Sequence, residues 1–202
     1  MLQYIKRLIF RIIMISSIIC NIPFQDTLNW NILQDDDIWI GYIEQDYPWC
    51  KSSILLNYSI DEILLIVEDV DNYYRYFDTV FSSTKDQNNV VHIILNMPIP
   101  FADRDYVVKY NKITEGNTII FRFQSNEKFL KPVLENYVRL PNAAGEWRLE
   151  SLGEKITKVT YIWNGELSGN FPNWAYSRAW TKQGNEVLGN LKKILESKGV
   201  SK

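Results

Sequence analysis

The chain has 202 residues, of which 46% are hydrophobic and 14% aromatic, so it is long enough to bury a substantial single core. Its 22 basic and 24 acidic residues are well mixed and form no basic face that could follow a phosphate backbone, so we expect no nucleic-acid partner. Two cysteines and one histidine are too few for a Cys/His zinc site or a disulfide framework. We expect no cofactor.

The first 22 residues have the character of a targeting segment. Lys6, Arg7 and Arg11 precede an uncharged, mostly apolar run at residues 12–20. That run has the length of a signal-peptide core and is too short to span a bilayer. An uncleaved anchor, an amphipathic helix and lipidation at Cys20 are the alternatives. We therefore expect an exported protein (periplasmic, secreted or membrane-anchored) whose domain occupies residues 23–202.

The domain is predicted to begin with two strands and a helix. Alternating apolar residues indicate strands at 37–44 and 52–57. Ser59 and Glu62 have the spacing of a capping box, and the apolar residues that follow recur at helical spacing, which predicts a helix over 60–69. An aromatic turn at residues 73–77 follows this helix.

The middle of the chain reads as an antiparallel meander. Turn residues separate short β-rich segments at hairpin-length spacing. The predicted strands cover residues 79–85, 90–97, 104–113, 118–125, 136–140, 145–152 and 158–167. Several of them alternate strictly, so one face carries aromatic and aliphatic side chains while the other carries charge. This pattern is typical of a sheet with one solvated face.

A long helix is predicted at the C-terminus. Pro172 stands at its start, with Asn170 or Asn173 as the cap, and apolar residues form one stripe along residues 173–197. A helix of this length can cross a whole sheet. Gly184 and Gly189 are costly inside a helix, so we expect them either to leave room for a ligand or to let the helix bend.

The element order, two strands, a helix, a run of strands and one long final helix, predicts an α+β helix-grip fold with a curved antiparallel sheet around the C-terminal helix. At this point the chain resembles a START domain. The segment MPIPFADRDYVV at 97–108 carries most of the resemblance, and the stretch GEWRL at 145–149 and Gly169 before the final helix support it. The resemblance spans about residues 37–197 and implies an internal tunnel that holds a lipid or another apolar molecule.

The resemblance also has a limit. Some sterol and ceramide carriers place an arginine in the cavity six residues after the one in this motif, where this chain has Tyr110. The acid–arginine pair of those carriers is therefore not evident, and the ligand class stays open.

We expect the inward-facing side chains of the sheet and helix to line the cavity. Tyrosine hydroxyls there need partners, which a ligand or trapped water would supply. The predicted lining residues are Arg104, Tyr106, Val108, Tyr110, Phe121, Phe123, Trp147, Tyr161, Trp163, Trp180, Val187 and Leu188. For Arg104, a purely structural ion pair with Asp103 or with a carboxylate across the strands is the alternative.

The predicted function is that of a non-catalytic carrier or sensor, acting as a monomer with transient membrane contact. The spacing of residues shows no catalytic triad or carboxylate pair, and we expect no enzyme. The alternative is a cyclase- or aromatase-like enzyme, for which His92, Arg104, Tyr106 and Tyr110 are the candidates. A protein-binding module is disfavoured because the outer sheet face carries mixed charge.

Overall fold

The structure is a computed structural model that describes residues 22–24, 28–125, 132–133 and 135–200. Apart from Ile22, the predicted targeting segment lies outside these residues, and so does Cys20.

The described residues form one ten-stranded sheet, in the order β1-β2-β3-β10-β9-β7-β6-β5-β4. Neighbours in this order are antiparallel, and the short strand β8 pairs in parallel with β6. The strands are Asn31–Asp35 (β1), Trp39–Glu44 (β2), Pro48–Leu56 (β3), Val80–Lys85 (β4), Val90–Leu95 (β5), Arg104–Glu115 (β6), Thr118–Ser125 (β7), Val138–Arg139 (β8), Ala144–Gly153 (β9) and Ile156–Asn164 (β10).

Helices connect and close this sheet. They are Ile60–Val67 (α1), Tyr73–Tyr76 (α2) and Tyr176–Val200 (α3), with single 3-10 turns at Val70–Asn72 and Asn173–Ala175. The capping box is confirmed: the Glu62 N–H donates to the Ser59 hydroxyl, and the Glu62 carboxylate accepts from the Ser59 N–H. The turn before α3 begins at Pro172 without a side-chain cap.

The predicted α+β helix-grip architecture is confirmed, but one strand and one strand boundary at the start of the sheet were predicted incorrectly. Strand β1 was not predicted, and β3 begins at Pro48 rather than at 52. Trp49, Cys50, Lys51 and Ser52 are all buried, so this part of β3 is covered on both faces. A strand covered on both faces has no reason to alternate between apolar and polar residues, and periodicity cannot find it.

Helix α3 packs against β1, β2 and β3 on the concave face of the sheet. A Cβ atom on Gly184 would lie 2.9 Å from Ile40 Cδ1 and 3.2 Å from Ser52 Cβ, so this glycine lets the helix approach the sheet closely. On Gly189 the nearest atom, Ile38 Cδ1, would be 3.9 Å away, which is an ordinary contact. Gly184 therefore serves close packing rather than ligand space.

We expected the outer face of the sheet to be solvated because it carries charged residues, but several of these residues are buried. Asp105 and Glu146 alternate with inward residues as predicted, yet both are 0% exposed, and Lys51, which lies outside the predicted strand, is 4% exposed. Residues at the start of the described chain cover part of this face: Ile22 packs with Trp49 and Ile162. Beside Asp105 the short strand β8 adds further cover, since Arg139 pairs with it in register.

Candidate functional site

A cavity of about 390 Å³ lies between the sheet and α3. Strands β4, β5, β6, β9 and β10 supply one wall, and one face of α3 supplies the other. Two loops, at 96–101 and 167–175, complete the boundary. The lining residues are Tyr73, Phe77, Thr79, Val80, Leu95, Asn96, Met97, Pro98, Phe101, Tyr106, Tyr110, Trp147, Tyr161, Leu167, Phe171, Trp174, Ala175, Arg178, Ala179, Lys182, Gln183, Glu186 and Val187.

Four tyrosines give the aromatic wall of this cavity its polar atoms. The Tyr73 hydroxyl donates to the carbonyl of Val67 at 2.5 Å. Burial raises the pKa values of Tyr73, Tyr106, Tyr110 and Tyr161 far above that of a free phenol, and their proximity adds to the effect for three of them. These side chains are therefore neutral at physiological pH and can donate or accept single hydrogen bonds.

The cavity reaches the surface beside the start of α3. Trp174 is 80% exposed there, and Ile99, in the loop at 96–101 that borders the cavity, is 95% exposed. Arg178 and Lys182 lie on the same stretch of lining and are both exposed. The opening thus combines large apolar side chains with two cations.

Arg104 does not face the cavity, contrary to the expectation. Its guanidinium donates to the carbonyls of Leu167 at 3.1 Å and Ser168 at 3.3 Å, and also to that of Ala102. It lies 5.6 Å from the centre of the Phe171 ring. Arg104 therefore ties the loop before β6 to the segment before α3, the two loops that border the opening. Its partners are backbone carbonyls rather than the carboxylate that the structural alternative expected.

His92 lies on the outer face of the sheet, away from the cavity. Its Nε2 is 2.8 Å from Asp105 Oδ2, and Arg139 donates to both oxygens of the same carboxylate at 2.8 and 2.7 Å. Burial raises the pKa of Asp105, but the hydrogen bonds from Arg139 and His92 outweigh it, so the net pKa is lowered. This cluster joins β5, β6 and β8.

Seven of the twelve predicted lining residues face the cavity or a small pocket beside it. Tyr106, Tyr110, Trp147, Tyr161 and Val187 line the cavity. Phe123 and Trp163 line the adjoining side pocket, together with Tyr106 and Tyr161.

The other residues, Arg104, Val108, Phe121, Trp180 and Leu188, do not line the cavity. Val108, Phe121, Trp180 and Leu188 belong to the solid core. Trp180 donates its indole N–H to the Gly165 carbonyl at 2.8 Å and packs on Tyr42, so it anchors α3. Strand parity assigned Arg104, Val108 and Phe121 to the correct side of the sheet, but α1 and α3 fill part of that side. Trp180 and Leu188 belong to the apolar stripe of α3 and pack in the same core.

Sequence reasoning missed the wall contributed by the segment around α2. Tyr73 and Phe77 line the cavity, and Thr79 and Val80 continue this wall into β4. The cluster of aromatic residues at 73–77 was a usable signal, since its rings had no assigned place in the sheet. Among the described residues, no group of three metal-ligating side chains could hold an ion. Within the same residues, no helix combines the length and apolar composition needed to cross a bilayer.

Comparisons with known proteins address the fold. No protein-family profile matches the chain. An uncharacterized protein of Pseudomonas aeruginosa is 31% identical over 81 residues, which cover 40% of this chain and 40% of that protein. The match therefore spans two fifths of the length of this curated relative.

Solved structures resemble the whole domain. A STAR-related lipid transfer protein from Xanthomonas axonopodis is 20% identical, with a TM-score of 0.71, over 83% of this chain and 98% of that one. Human StAR-related lipid transfer protein 5 is 16% identical, with a TM-score of 0.75, over 86% of this chain and 89% of that one. The class defined by the sheet and its long helix is the helix-grip fold. This chain has the START-like form of that fold.

Proposed function

We propose that this protein binds one lipid or other apolar molecule in the cavity between the sheet and α3, and acts as a non-catalytic carrier or sensor. The observation that carries this proposal is the cavity itself, about 390 Å³ in volume and walled largely by aromatic and aliphatic side chains. This volume is within the range of small-molecule sites, roughly 300–1,000 Å³. Burial of apolar ligand surface contributes about 25 cal/mol per Å², which drives binding.

The surface around the opening fits transient contact with a membrane. Ile99 and Trp174 are large apolar side chains that the fold leaves in water, at 95% and 80% exposure. Arg178 and Lys182 are exposed residues that line the same cavity, and basic residues near an anionic bilayer each contribute about 1 kcal/mol to binding. The protein would dock with its opening toward the lipid, so that a ligand passes between bilayer and cavity without crossing water.

Export to the periplasm or cell surface, or anchorage through residues 1–22, belongs to the same proposal. It is supported by the positive and apolar pattern of the first 20 residues. A carrier outside the cytoplasm would move apolar molecules between membranes or report their presence.

The enzyme alternative has little support from the geometry. Of its four candidate residues, His92 lies on the outer face and Arg104 is bound to backbone carbonyls, which leaves Tyr106 and Tyr110 in the cavity. No observation favours turnover over binding.

Native mass spectrometry of the purified protein tests the proposal. We expect the chain to carry one apolar molecule of defined mass, which organic extraction removes and which rebinds on addition. A protein that is ligand-free as purified and takes up no lipid from vesicles would contradict it.

A further inference from the structure

A small side pocket of about 40 Å³ adjoins the main cavity. The two spaces share Leu95, Tyr106, Tyr161, Leu167 and Gln183 as wall residues. A water molecule needs roughly 10–15 Å³ of such volume. The side pocket therefore has room for one small polar group or a few waters, but not for an apolar chain.

Glu166 gives this side pocket a negative charge. Its carboxylate accepts from the Asn142 amide at 3.0 Å and the Ser168 hydroxyl at 3.2 Å, and its own N–H donates to Asn164 at 2.8 Å. Within the part of the chain that the structure describes, these partners are neutral, and no lysine or arginine pairs with this carboxylate.

The two fully buried carboxylates of the sheet differ sharply from Glu166. Asp105 has Arg139 and His92 as partners. Glu146 has Arg122 and Arg148. Two half-buried carboxylates have no such cation among the described residues: Glu166 in the side pocket, and Glu186 in the main cavity, which accepts from the N–H and hydroxyl of Thr79.

The aromatic wall of the side pocket also carries a group without a partner. Trp163 is 3% exposed, and its indole N–H has no hydrogen-bond partner among the described residues. Buried polar groups are almost always paired in folded proteins. The oxygen of a ligand hydroxyl can accept from this N–H, whereas a protonated amine has no acceptor to offer it.

We propose that the side pocket is a selectivity subsite for the polar end of the ligand. It takes a hydrogen-bond-donating end, a hydroxyl or a protonated amine, which donates to the Glu166 carboxylate while the apolar body fills the main cavity. A ligand ending in a carboxylate or phosphate is disfavoured because its negative charge would lie beside that of Glu166. This inference rests on the proposed function and narrows it to neutral or cationic ligands.

The size of the main cavity restricts the class of ligand further. At about 390 Å³ it is near the lower end of the range for small-molecule sites. One chain or one compact ring system fits this space, whereas a whole two-chain phospholipid exceeds it. The ligand class is therefore a single-chain or ring-based apolar alcohol or amine.

Competition binding with chain-matched probes tests the subsite. Nile red, an uncharged dye, reports occupation of the main cavity, and dodecanol, dodecylamine and dodecanoate displace it below their micellar concentrations. We expect the alcohol and the amine to displace Nile red from the wild type at least about tenfold more effectively than dodecanoate, since a hydrogen bond to a charged group contributes about 1.5–3 kcal/mol. Preference for either donor over the acid supports the proposal.

The variant Glu166→Gln keeps the shape of the side chain and removes its charge. We expect it to bind Nile red as the wild type does and to lose most of the preference against dodecanoate. Glu154→Gln, in the exposed turn between β9 and β10, is the matched control and should leave the preference unchanged. If all three probes displace Nile red equally, or if Glu166→Gln keeps the preference, the proposed subsite is wrong. Nile red binding would in that case still support the ligand cavity. Absence of Nile red binding by the wild type would instead refute the proposed function.

Discussion

Filling the cavity with a tryptophan should abolish ligand binding without unfolding the protein. Ala179 lies on the face of α3 that lines the cavity. The new ring of Ala179→Trp would occupy the space in place of the ligand, and a buried tryptophan covers about 150–250 Å². At about 25 cal/mol per Å², a ligand that loses this contact area loses roughly 4–6 kcal/mol of binding free energy. Because neighbouring side chains relax, we expect a loss of at least about a hundredfold in affinity, or roughly 2.7 kcal/mol.

Nile red titration measures this effect, and thermal unfolding shows whether the fold survives. Asn190→Trp is the control, since Asn190 is a half-buried residue of the same helix that does not line the cavity. We expect the control to bind the dye as the wild type does. Undiminished binding by Ala179→Trp, with a melting temperature near that of the wild type, would refute the assignment of the ligand to this space.

Three further predictions concern the frame and the opening. Asp105→Asn should cost about 3 kcal/mol in urea unfolding, because it removes the charge of a fully buried carboxylate that accepts from Arg139 and pairs with His92. The lowered pKa of Asp105 means that its stabilisation is complete above about pH 4 and is lost as the pH falls through the folded-state value, so the melting temperatures of variant and wild type should converge in acid. Gly145→Ala places a Cβ 2.3 Å from a carbonyl oxygen of β10 and should cost at least about 1–3 kcal/mol, whereas Gly153→Ala, with its nearest contact at 3.9 Å, should be neutral. Ile99→Ala should slow lipid transfer between anionic vesicles several-fold while Nile red affinity stays unchanged, since Ile99 is exposed and does not line the cavity; equal transfer rates would argue against docking through the opening.

Local sequence patterns were sufficient to predict most of the fold. Strict alternation in β6 placed Tyr106 and Tyr110 on the inner face, and the structure has both in the cavity wall. The stripe of apolar residues predicted the long final helix, because an amphipathic helix must bury one face against the sheet. These signals are local, so they do not depend on knowing which strands pair.

The extent of the cavity was not predictable from the same signals. Val108 shares its strand face with Tyr106 and Tyr110, yet it is 0% exposed in the solid core. Parity indicates which side of the sheet a residue faces, but α1, α2 and α3 decide how much of that side is filled. Their positions depend on contacts between residues far apart in sequence.

The burial of charged residues on the outer face was also not predictable from local sequence patterns. Asp105 and Glu146 occupy outward positions, where a charged residue normally meets water. They are buried because β8 and the first described residues cover the outer face, and each is compensated by an arginine from another strand. The sequences of the individual strands do not show that other segments cover this face.

A crystal structure with a brominated long-chain alcohol tests the central claim most directly, since bromine is located independently by its anomalous scattering. The account predicts one bromine-labelled molecule per chain between α3 and the aromatic wall formed by Tyr106, Tyr110 and Trp147, with its hydroxyl beside Glu166. A cavity filled by protein side chains, or a probe bound only at the protein surface, would contradict it.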